Sequence, residues 1–281
     1  MISYNFAYYQ PTSIQEAIGQ YESLKKQQKN PIYYSGGTEI ITLGRVNKMV
    51  ADAVIDIKKI PECQTYEKNK KQLVLGAALS LTRIRDMQLY PFMEKVISEI
   101  ADHTARNKIT LGGNICANII YREAVLPLLL TDSNVVIATK DGLKEKPINK
   151  LFGQKLQLHD GEFLVQVKID QKAIQLPYFT VKKRRQWGVG YPLITIAAVK
   201  KEGRINTAFS GLCAYPFRNQ KMEEELNNKR LRVIDRIDKA LQHIPGKVLN
   251  DVHGSNAYRM FVLKNILQDA IHALGRGEMS E

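Results

Sequence analysis

Two pairs of adjacent glycines set the strongest constraint on how this chain can fold. Gly36-Gly37 follows a short apolar stretch, and Gly112-Gly113 lies in a run rich in hydroxyl and amide side chains. Glycine adopts backbone conformations that other residues avoid, and its missing Cβ allows a close approach by a neighbouring group. One such pair alone is typical of a tight turn. A second pair, far from the first in sequence, favours a common function for the two.

The first pair lies between a predicted strand, residues 32–34, and a predicted helix that begins near Glu39. In a strand–turn–helix arrangement, backbone N–H groups and the helix N-terminus can receive a phosphate. The glycine spacing matches neither GxGxxG nor GxxxxGK[ST], which excludes the usual dinucleotide-binding and P-loop motifs. Near the second pair, the side chains of Thr110, Asn114 and Asn118 offer further hydrogen bonds to a polar or anionic ligand.

Composition limits the other classes of protein. The 281 residues are enough for two domains with a substantial core. No stretch reaches the roughly 18 uncharged apolar residues that span a bilayer, and the N-terminus lacks the pattern of a signal peptide. Cys63, Cys116 and Cys213 are scattered, without the spacing of a disulfide framework or of iron–sulfur or zinc ligands. We therefore expect a cytoplasmic protein with no membrane segment and no metal site of its own.

The formal net charge of +13 raises the question of nucleic-acid binding. The basic residues are spread along the chain, with short runs at 182–185 and 229–232, and no recognised RNA-binding motif or zinc finger accompanies them. A solvated surface that docks to other proteins is the favoured interpretation. Nucleic-acid binding remains the weakest of the alternatives.

The order of predicted elements indicates an α+β protein with a boundary between residues 171 and 177. Before it, helices and strands are mixed; after it, three strands form a predicted antiparallel meander that is followed by helices. We predict a first domain at 1–175, with subdomains at about 1–58 and 59–175, and a second domain at 176–281. The predicted strands of the meander are 178–181, 193–199 and 206–210, and the helices after it are 222–228, 233–243 and 255–273.

The motifs Ser35-Gly-Gly-Thr-Glu-Ile40 and Thr110-Leu-Gly-Gly-Asn-Ile115 together resemble those of the flavin-binding, or medium, subunit of the molybdenum hydroxylases. That family includes xanthine, carbon monoxide and nicotinate dehydrogenases. The resemblance runs nearly end to end, because Asp56–Pro61 and Gly254–Arg259 also fit its patterns. It implies an FAD-binding region of the vanillyl-alcohol-oxidase (PCMH) type, followed by a small C-terminal domain of antiparallel sheet plus helices.

The resemblance also implies that the two glycine loops bracket the diphosphate of FAD. Backbone N–H groups of residues 35–38 would hold one side of it and those of residues 111–114 the other. Leu164 corresponds to a position that touches the cofactor through its backbone. No catalytic residue is expected, since the chemistry is that of the flavin. The implied cofactor-binding residues are Ser35, Gly36, Gly37, Thr38, Glu39, Ile40, Thr110, Leu111, Gly112, Gly113, Asn114, Asn118, Glu123, Leu164 and Lys182.

Some of these positions keep a second interpretation. Glu123 falls where the family has an acidic residue, but the preceding proline is missing, so a flavin contact and a surface salt bridge with Arg122 or a neighbour both stay open. Lys182 and Arg185 match a Lys-x-x-Arg pattern beside the isoalloxazine, where a cation would stabilise the reduced ring; the alternative is a solvated edge strand. Trp187 is expected in interdomain packing rather than on a ring of the cofactor.

By resemblance, the chain is an FAD-binding subunit of a multi-subunit oxidoreductase. Electrons would leave the substrate at a molybdenum cofactor in a large subunit and pass through iron–sulfur clusters in a small subunit. They would then reach FAD in this chain and go to NAD+ or another acceptor. A stand-alone flavin reductase or oxidase, and a non-catalytic FAD-binding assembly protein, are the alternatives. Neither nucleic acid nor a membrane is an expected partner.

Overall fold

The computed structural model describes residues 2–184 and 190–275. The chain divides into two compact units whose segments alternate along the sequence. The first unit contains Met1–Leu89, Asp102–Ala117 and Asp132–Gln171, and the second contains Tyr90–Ala101, Asn118–Thr131 and Lys172–Glu281. Within the described ranges, no helix is long and apolar enough to cross a lipid bilayer.

Helices and strands are numbered in chain order. The helices are α1 (Ile14–Lys26), α2 (Thr38–Arg45), α3 (Leu81–Asp86), α4 (Pro91–Ser98), α5 (His103–Arg106), α6 (Leu111–Cys116), α7 (Val125–Leu130), α8 (Ile148–Leu151), α9 (Gln220–Leu226), α10 (Val233–Leu241) and α11 (Asn256–Gly275). The strands are β1 (Ala7–Tyr9), β2 (Pro31–Tyr34), β3 (Ala53–Asp56), β4 (Tyr66–Lys68), β5 (Gln72–Gly76), β6 (Asn134–Thr139), β7 (Gly142–Pro147), β8 (Phe163–Asp170), β9 (Tyr178–Lys183), β10 (Ile194–Lys201), β11 (Arg204–Ser210) and β12 (Phe217–Arg218).

The first unit begins with a small parallel sheet in the order β1-β3-β2. Its middle strand, β3, is buried along its whole length, which is typical of a parallel strand covered on both faces. Helix α1 contributes its apolar stripe to the same core. The hydroxyl of Ser13 accepts a hydrogen bond from the N–H of Glu16 at 3.1 Å and so caps the helix.

An antiparallel sheet in the order β4-β5-β8-β6-β7 completes the first unit. Its central strand β8 pairs with β5 on one side and with β6 on the other. Leu164 lies in this strand, opposite Ile137 of β6, and its side chain is buried. Backbone hydrogen bonds and apolar burial therefore hold Leu164 within the sheet.

The second unit is built on an antiparallel sheet in the order β12-β11-β10-β9. Strands β10 and β11 join at a tight turn in which Glu202 and Gly203 both have positive φ, 52° and 73°. Helices α9, α10 and α11 share an apolar core with the sheet. Helix α11 begins after Ser255, whose hydroxyl accepts from the N–H of Tyr258 at 3.2 Å. The predicted meander, the final helix and the α+β class are confirmed.

Two short segments of the second unit come from earlier in the chain. Helix α4 stacks Phe92 on Tyr178 of β9, with ring centroids 5.0 Å apart. Helix α7 is apolar and buried on all sides, and its Leu129 carbonyl accepts a hydrogen bond from Arg218 at 2.8 Å. The observed division therefore differs from the predicted one at 1–175 and 176–281, because residues 90–101 and 118–131 pack with the later part of the chain.

Candidate functional site

The first glycine loop lies at the carboxyl edge of the parallel sheet. It follows β2 directly and leads into α2, with Gly37 as the N-cap residue. Gly37 has a φ of 71°, in the left-handed region, and a Cβ there would overlap the ring of Tyr34. The carboxyl edge of a parallel sheet is where open α/β folds bind their ligands. The backbone of this loop is therefore shaped by glycine in the place where a ligand is expected.

This loop presents donors that the described residues do not use. Among residues 2–184 and 190–275, the backbone N–H groups of Gly36, Gly37 and the first three residues of α2 have no hydrogen-bond acceptor. The hydroxyl oxygen of Ser35 is buried and also has no partner in the described part of the chain. Free N–H groups at a helix N-terminus carry partial positive charge and attract anions. These N–H groups and the Ser35 hydroxyl together suit a phosphate or diphosphate group.

The second glycine loop uses its donors inside the protein. The N–H of Leu111 donates to the carbonyl of Leu79 at 2.9 Å, and that of Gly112 donates to Ala77 at 2.8 Å. The Gly113 N–H donates to the Thr110 hydroxyl at 3.2 Å, and the Asn114 N–H donates to the Thr110 carbonyl at 2.9 Å. These four N–H groups, expected as ligands of a diphosphate, are therefore already satisfied by a neighbouring segment and by the cap of α6.

The two loops nevertheless lie side by side, as their pairing in sequence predicts. A Cβ added to Gly36 would overlap the carbonyl of Lys108 and would lie 3.2 Å from the nitrogen of Thr110. A Cβ on Gly112 would lie 2.7 Å from the Cβ of Ala77. The segment from Lys108 to Thr110 thus forms a wall against which the first loop is packed, and this contact requires glycine at position 36. Glycine at position 112 is required instead for the contact of the second loop with Ala77.

A charged network beside the first loop was not predicted from the sequence. Asp56 ends β3 and is fully buried. The Lys58 ammonium lies 2.9 Å from its carboxylate and donates to the carbonyl of Ser35 at 3.0 Å. The hydroxyl of Tyr8 donates to Asp56 at 2.6 Å, and this hydrogen bond raises the pKa of Tyr8 to about 12. The sequence pointed to this network only through the stretch Asp56–Pro61, which contributes to the family resemblance.

Glu123 and Lys182 occur together in the second unit. The Lys182 ammonium lies 2.6 Å from a carboxylate oxygen of Glu123, and their side chains are only 4% and 2% exposed. Lys182 also donates to the carbonyl of Glu99 at 2.7 Å. Neither the solvated strand considered for Lys182 nor the surface salt bridge considered for Glu123 is observed, because the two groups neutralise each other in the interior.

The remaining predicted site residues fall in several environments. Burial raises the pKa of the Glu39 carboxyl in the first turn of α2. Asn114 is buried, whereas Asn118 is exposed and belongs to the second unit. Arg185 and Trp187 lie outside the described residues. Among the residues that are described, no group of three or more His, Cys, Asp or Glu side chains could hold a metal ion.

Comparison with known proteins gives a consistent result. The profile of the family described as FAD binding domain in molybdopterin dehydrogenase matches residues 4–171. The nicotinate dehydrogenase FAD-subunit of Eubacterium barkeri is 25% identical over 59% of this chain and 59% of its own length. The carbon monoxide dehydrogenase medium chain of Hydrogenophaga pseudoflava is 24% identical over 67% of each chain. The alignment with the first of these relatives thus spans less than two thirds of its length.

Solved structures agree over almost the whole chain. A carbon monoxide dehydrogenase from Hydrogenophaga pseudoflava matches with a TM-score of 0.87 at 20% identity, covering 98% of this chain and 99% of that one. The quinoline 2-oxidoreductase of Pseudomonas putida 86 matches with a TM-score of 0.84 at 21% identity, covering 99% and 100%. At such identities the likeness shows the fold.

The open N–H groups of the first loop and the orphan hydroxyl of Ser35 suit the diphosphate of a dinucleotide cofactor. The family profile covers well over half of the sequence and includes both glycine loops and the Asp56–Lys58 network. The chain therefore belongs to the family of FAD-binding domains of molybdopterin dehydrogenases, and FAD is its cofactor.

Proposed function

We propose that this chain is the FAD-binding subunit of a molybdenum hydroxylase-type oxidoreductase. The observation that carries the proposal is the first glycine loop. Its N–H groups at the start of α2 have no acceptor in the part of the chain that the structure describes, and its glycine backbone allows close approach. Membership in the family and the subunit names of relatives, such as FAD-subunit and medium chain, support it.

FAD supplies reversible transfer of electrons and hydride, and the protein supplies binding, orientation and electrostatics. The N–H groups of Gly36, Gly37 and the first turn of α2 would hold the diphosphate oxygens. The hydroxyl of Ser35 would donate a further hydrogen bond to the same group. Hydrogen bonds to an ionised acceptor are about twice as strong as neutral ones, so this short segment would provide most of the polar recognition of the diphosphate.

The proposed partners are a large subunit with the molybdenum cofactor and a small subunit with iron–sulfur clusters. Electrons would arrive from the small subunit and leave this chain for NAD+ or another acceptor. A relative is named 6-hydroxypseudooxynicotine dehydrogenase complex subunit alpha, and it aligns with this chain at 23% identity over 83% of each. The net charge of +13 would favour docking to acidic surfaces of such partners.

Flavin binding is tested with the purified full chain. We expect a yellow protein, or a colourless one that takes up added FAD, with FAD bound far more tightly than FMN and with ADP as a competitor. The reason is that the site on α2 recognises a diphosphate rather than the flavin ring alone. Protein that binds neither FAD nor ADP would overturn the proposal.

Assembly is tested by purifying the tagged chain from its native host. Molybdenum and iron in the eluate, together with a large and a small polypeptide, are the expected result. A second measurement addresses the acceptor: bleaching of the flavin absorbance by NADH would identify NAD+ as the acceptor, and its absence in the intact complex would point to another one. Elution of the chain alone, with full flavin-dependent oxidation of NADH, would contradict the subunit assignment.

A further inference from the structure

The Lys58 ammonium is held from three directions beside the first glycine loop. It lies 2.9 Å from the Asp56 carboxylate, 3.0 Å from the carbonyl oxygen of Ser35 and 4.7 Å from the centre of the Tyr34 ring. The side chain is 39% exposed, whereas that of Asp56 is 1% exposed. Lys58 is therefore anchored at the protein side and remains open on the solvent side.

Asp56 is the anchor of this arrangement. It lies beside Tyr34 in the register of the parallel sheet, at the last position of β3. One carboxylate oxygen accepts from the N–H of Lys58 at 3.0 Å, and the other accepts from the hydroxyl of Tyr8 at 2.6 Å. A buried carboxylate with several donors has a fixed position. The ammonium that pairs with it is consequently fixed as well.

The contact with the Ser35 carbonyl controls the next N–H group. The peptide that joins Ser35 to Gly36 is trans, and in a planar trans peptide the C=O and N–H bonds point in opposite directions. An ammonium that holds the carbonyl on one side therefore turns the Gly36 N–H toward the other side. That N–H is one of the donors without an acceptor in the described residues.

We propose that Lys58 is a positioning residue for the diphosphate of FAD, which acts by fixing the Ser35–Gly36 peptide so that the Gly36 N–H faces the ligand. This inference rests on the proposed function, because it takes the first glycine loop as the diphosphate site. Lys58 also places a positive charge next to the loop, which favours an anion there. Asp56 and Tyr8 act through Lys58 by holding it in place.

The test uses the full chain freed of flavin and compares three variants with the unaltered protein. Lys58→Met removes the ammonium and keeps the length of the side chain. Lys58→Arg keeps a cation that can donate to the same carbonyl. Lys59→Met removes the same charge from the neighbouring exposed residue and is the matched control. Dissociation constants for FAD and ADP, apoprotein melting curves and the ³¹P NMR shifts of bound FAD are measured.

We expect Lys58→Met to weaken the binding of both FAD and ADP by about ten- to thirtyfold, which corresponds to the loss of one charge-assisted hydrogen bond. The ³¹P resonances of the diphosphate should shift, Lys58→Arg should restore most of the affinity, and Lys59→Met should bind FAD within about twofold of the unaltered chain. Should Lys58→Met fold poorly because Asp56 loses its counter-charge, the double variant Lys58→Met/Asp56→Asn removes that charge while Asn can still accept from Tyr8.

The possible failures are distinguishable. Unaltered protein that binds neither FAD nor ADP overturns the proposed function and this inference with it. Unaltered protein that binds FAD, with a folded Lys58→Met or double variant that binds it equally tightly, overturns only the role of Lys58. Equal weakening by Lys59→Met would also overturn it, since net charge rather than the position of the peptide would then account for the effect.

Discussion

The two glycine loops share an adjacent glycine pair and differ in the hydrogen bonds that their backbone makes. The N–H groups of residues 36–40 have no acceptor among the described residues. Those from Leu111 to Asn114 all donate to carbonyls or to a hydroxyl of the protein. One loop thus offers a surface for an anion, and the other is part of the structure that supports it. A shared motif therefore does not imply a shared role.

The difference arises from the neighbours of each loop. The first loop leaves the carboxyl end of β2 and enters α2, so its N–H groups lie at a helix N-terminus, and no carbonyl of the described residues accepts from them. The second is laid against residues 77–79, which follow β5 and present their carbonyls to it. Replacements in the first loop should accordingly change flavin affinity, and replacements in the second loop should change the free energy of unfolding.

The largest effect is expected for Gly112→Val. Its Cβ would lie 2.7 Å from the Cβ and 3.0 Å from the carbonyl oxygen of Ala77. The hydrogen bond from the N–H of residue 112 to that carbonyl would therefore be forced apart. Overpacking of this kind lowers the free energy of unfolding by about 3 kcal/mol. Urea unfolding of the flavin-free chain, followed by circular dichroism, measures it.

Gly113→Ala is the matched control for this replacement. Gly113 is exposed, and an added Cβ would press only on the Thr110 hydroxyl, at 2.8 Å, which caps α6; we expect a change of no more than about 1 kcal/mol, the value of that cap. If Gly112→Val kept its stability but lost FAD, the second loop would be a ligand site and the contrast between the loops would disappear.

Ser35→Ala should give the next largest effect, and on affinity alone. The buried hydroxyl has no partner in the described protein, so its removal leaves no group unsatisfied and should not reduce stability. Loss of a hydrogen bond to the diphosphate should weaken FAD binding about tenfold, as measured by flavin fluorescence titration. Unchanged affinity would show that Ser35 does not contact the cofactor.

Thr110→Val is expected to have the smallest effect, and on stability alone. The Thr110 hydroxyl caps α6 by accepting from the N–H of Gly113, and valine keeps the shape of the side chain without that acceptor. Loss of an N-cap costs about 1 kcal/mol, which a shift of the urea midpoint would report. A loss of FAD affinity larger than the loss of stability would argue for a direct contact between Thr110 and the ligand.

Local features of the fold could be predicted from the sequence. The cap at Ser13, the turn at Glu202-Gly203 and the start of α11 after Ser255 each depend on a few neighbouring residues. The proximity of the two glycine loops followed from their resemblance to a known pattern. Such features can be predicted because propensity, capping and turn geometry are short-range effects.

Pairs of side chains that are distant in sequence could not be predicted in the same way. Glu123 and Lys182 each suggested a ligand contact, and only the packed structure shows that they neutralise each other in the interior. The direction of the N–H groups after Thr110 likewise depends on the carbonyls of residues 77–79. The sequence indicated that the two glycine loops lie close together but not whether their donors were free.

The alternation of the two units along the chain has a consequence for synthesis on the ribosome. Strand β5 pairs with β8, whose last residue is Asp170, and helix α7 packs with strands that emerge later still. Neither unit can complete its core before most of the chain has been made. Helix α7 is apolar on every side, and the strands β10, β11 and β12 that it contacts are translated only later, up to Arg218. Nascent chains stalled between residues 131 and 218 should therefore be especially dependent on chaperones.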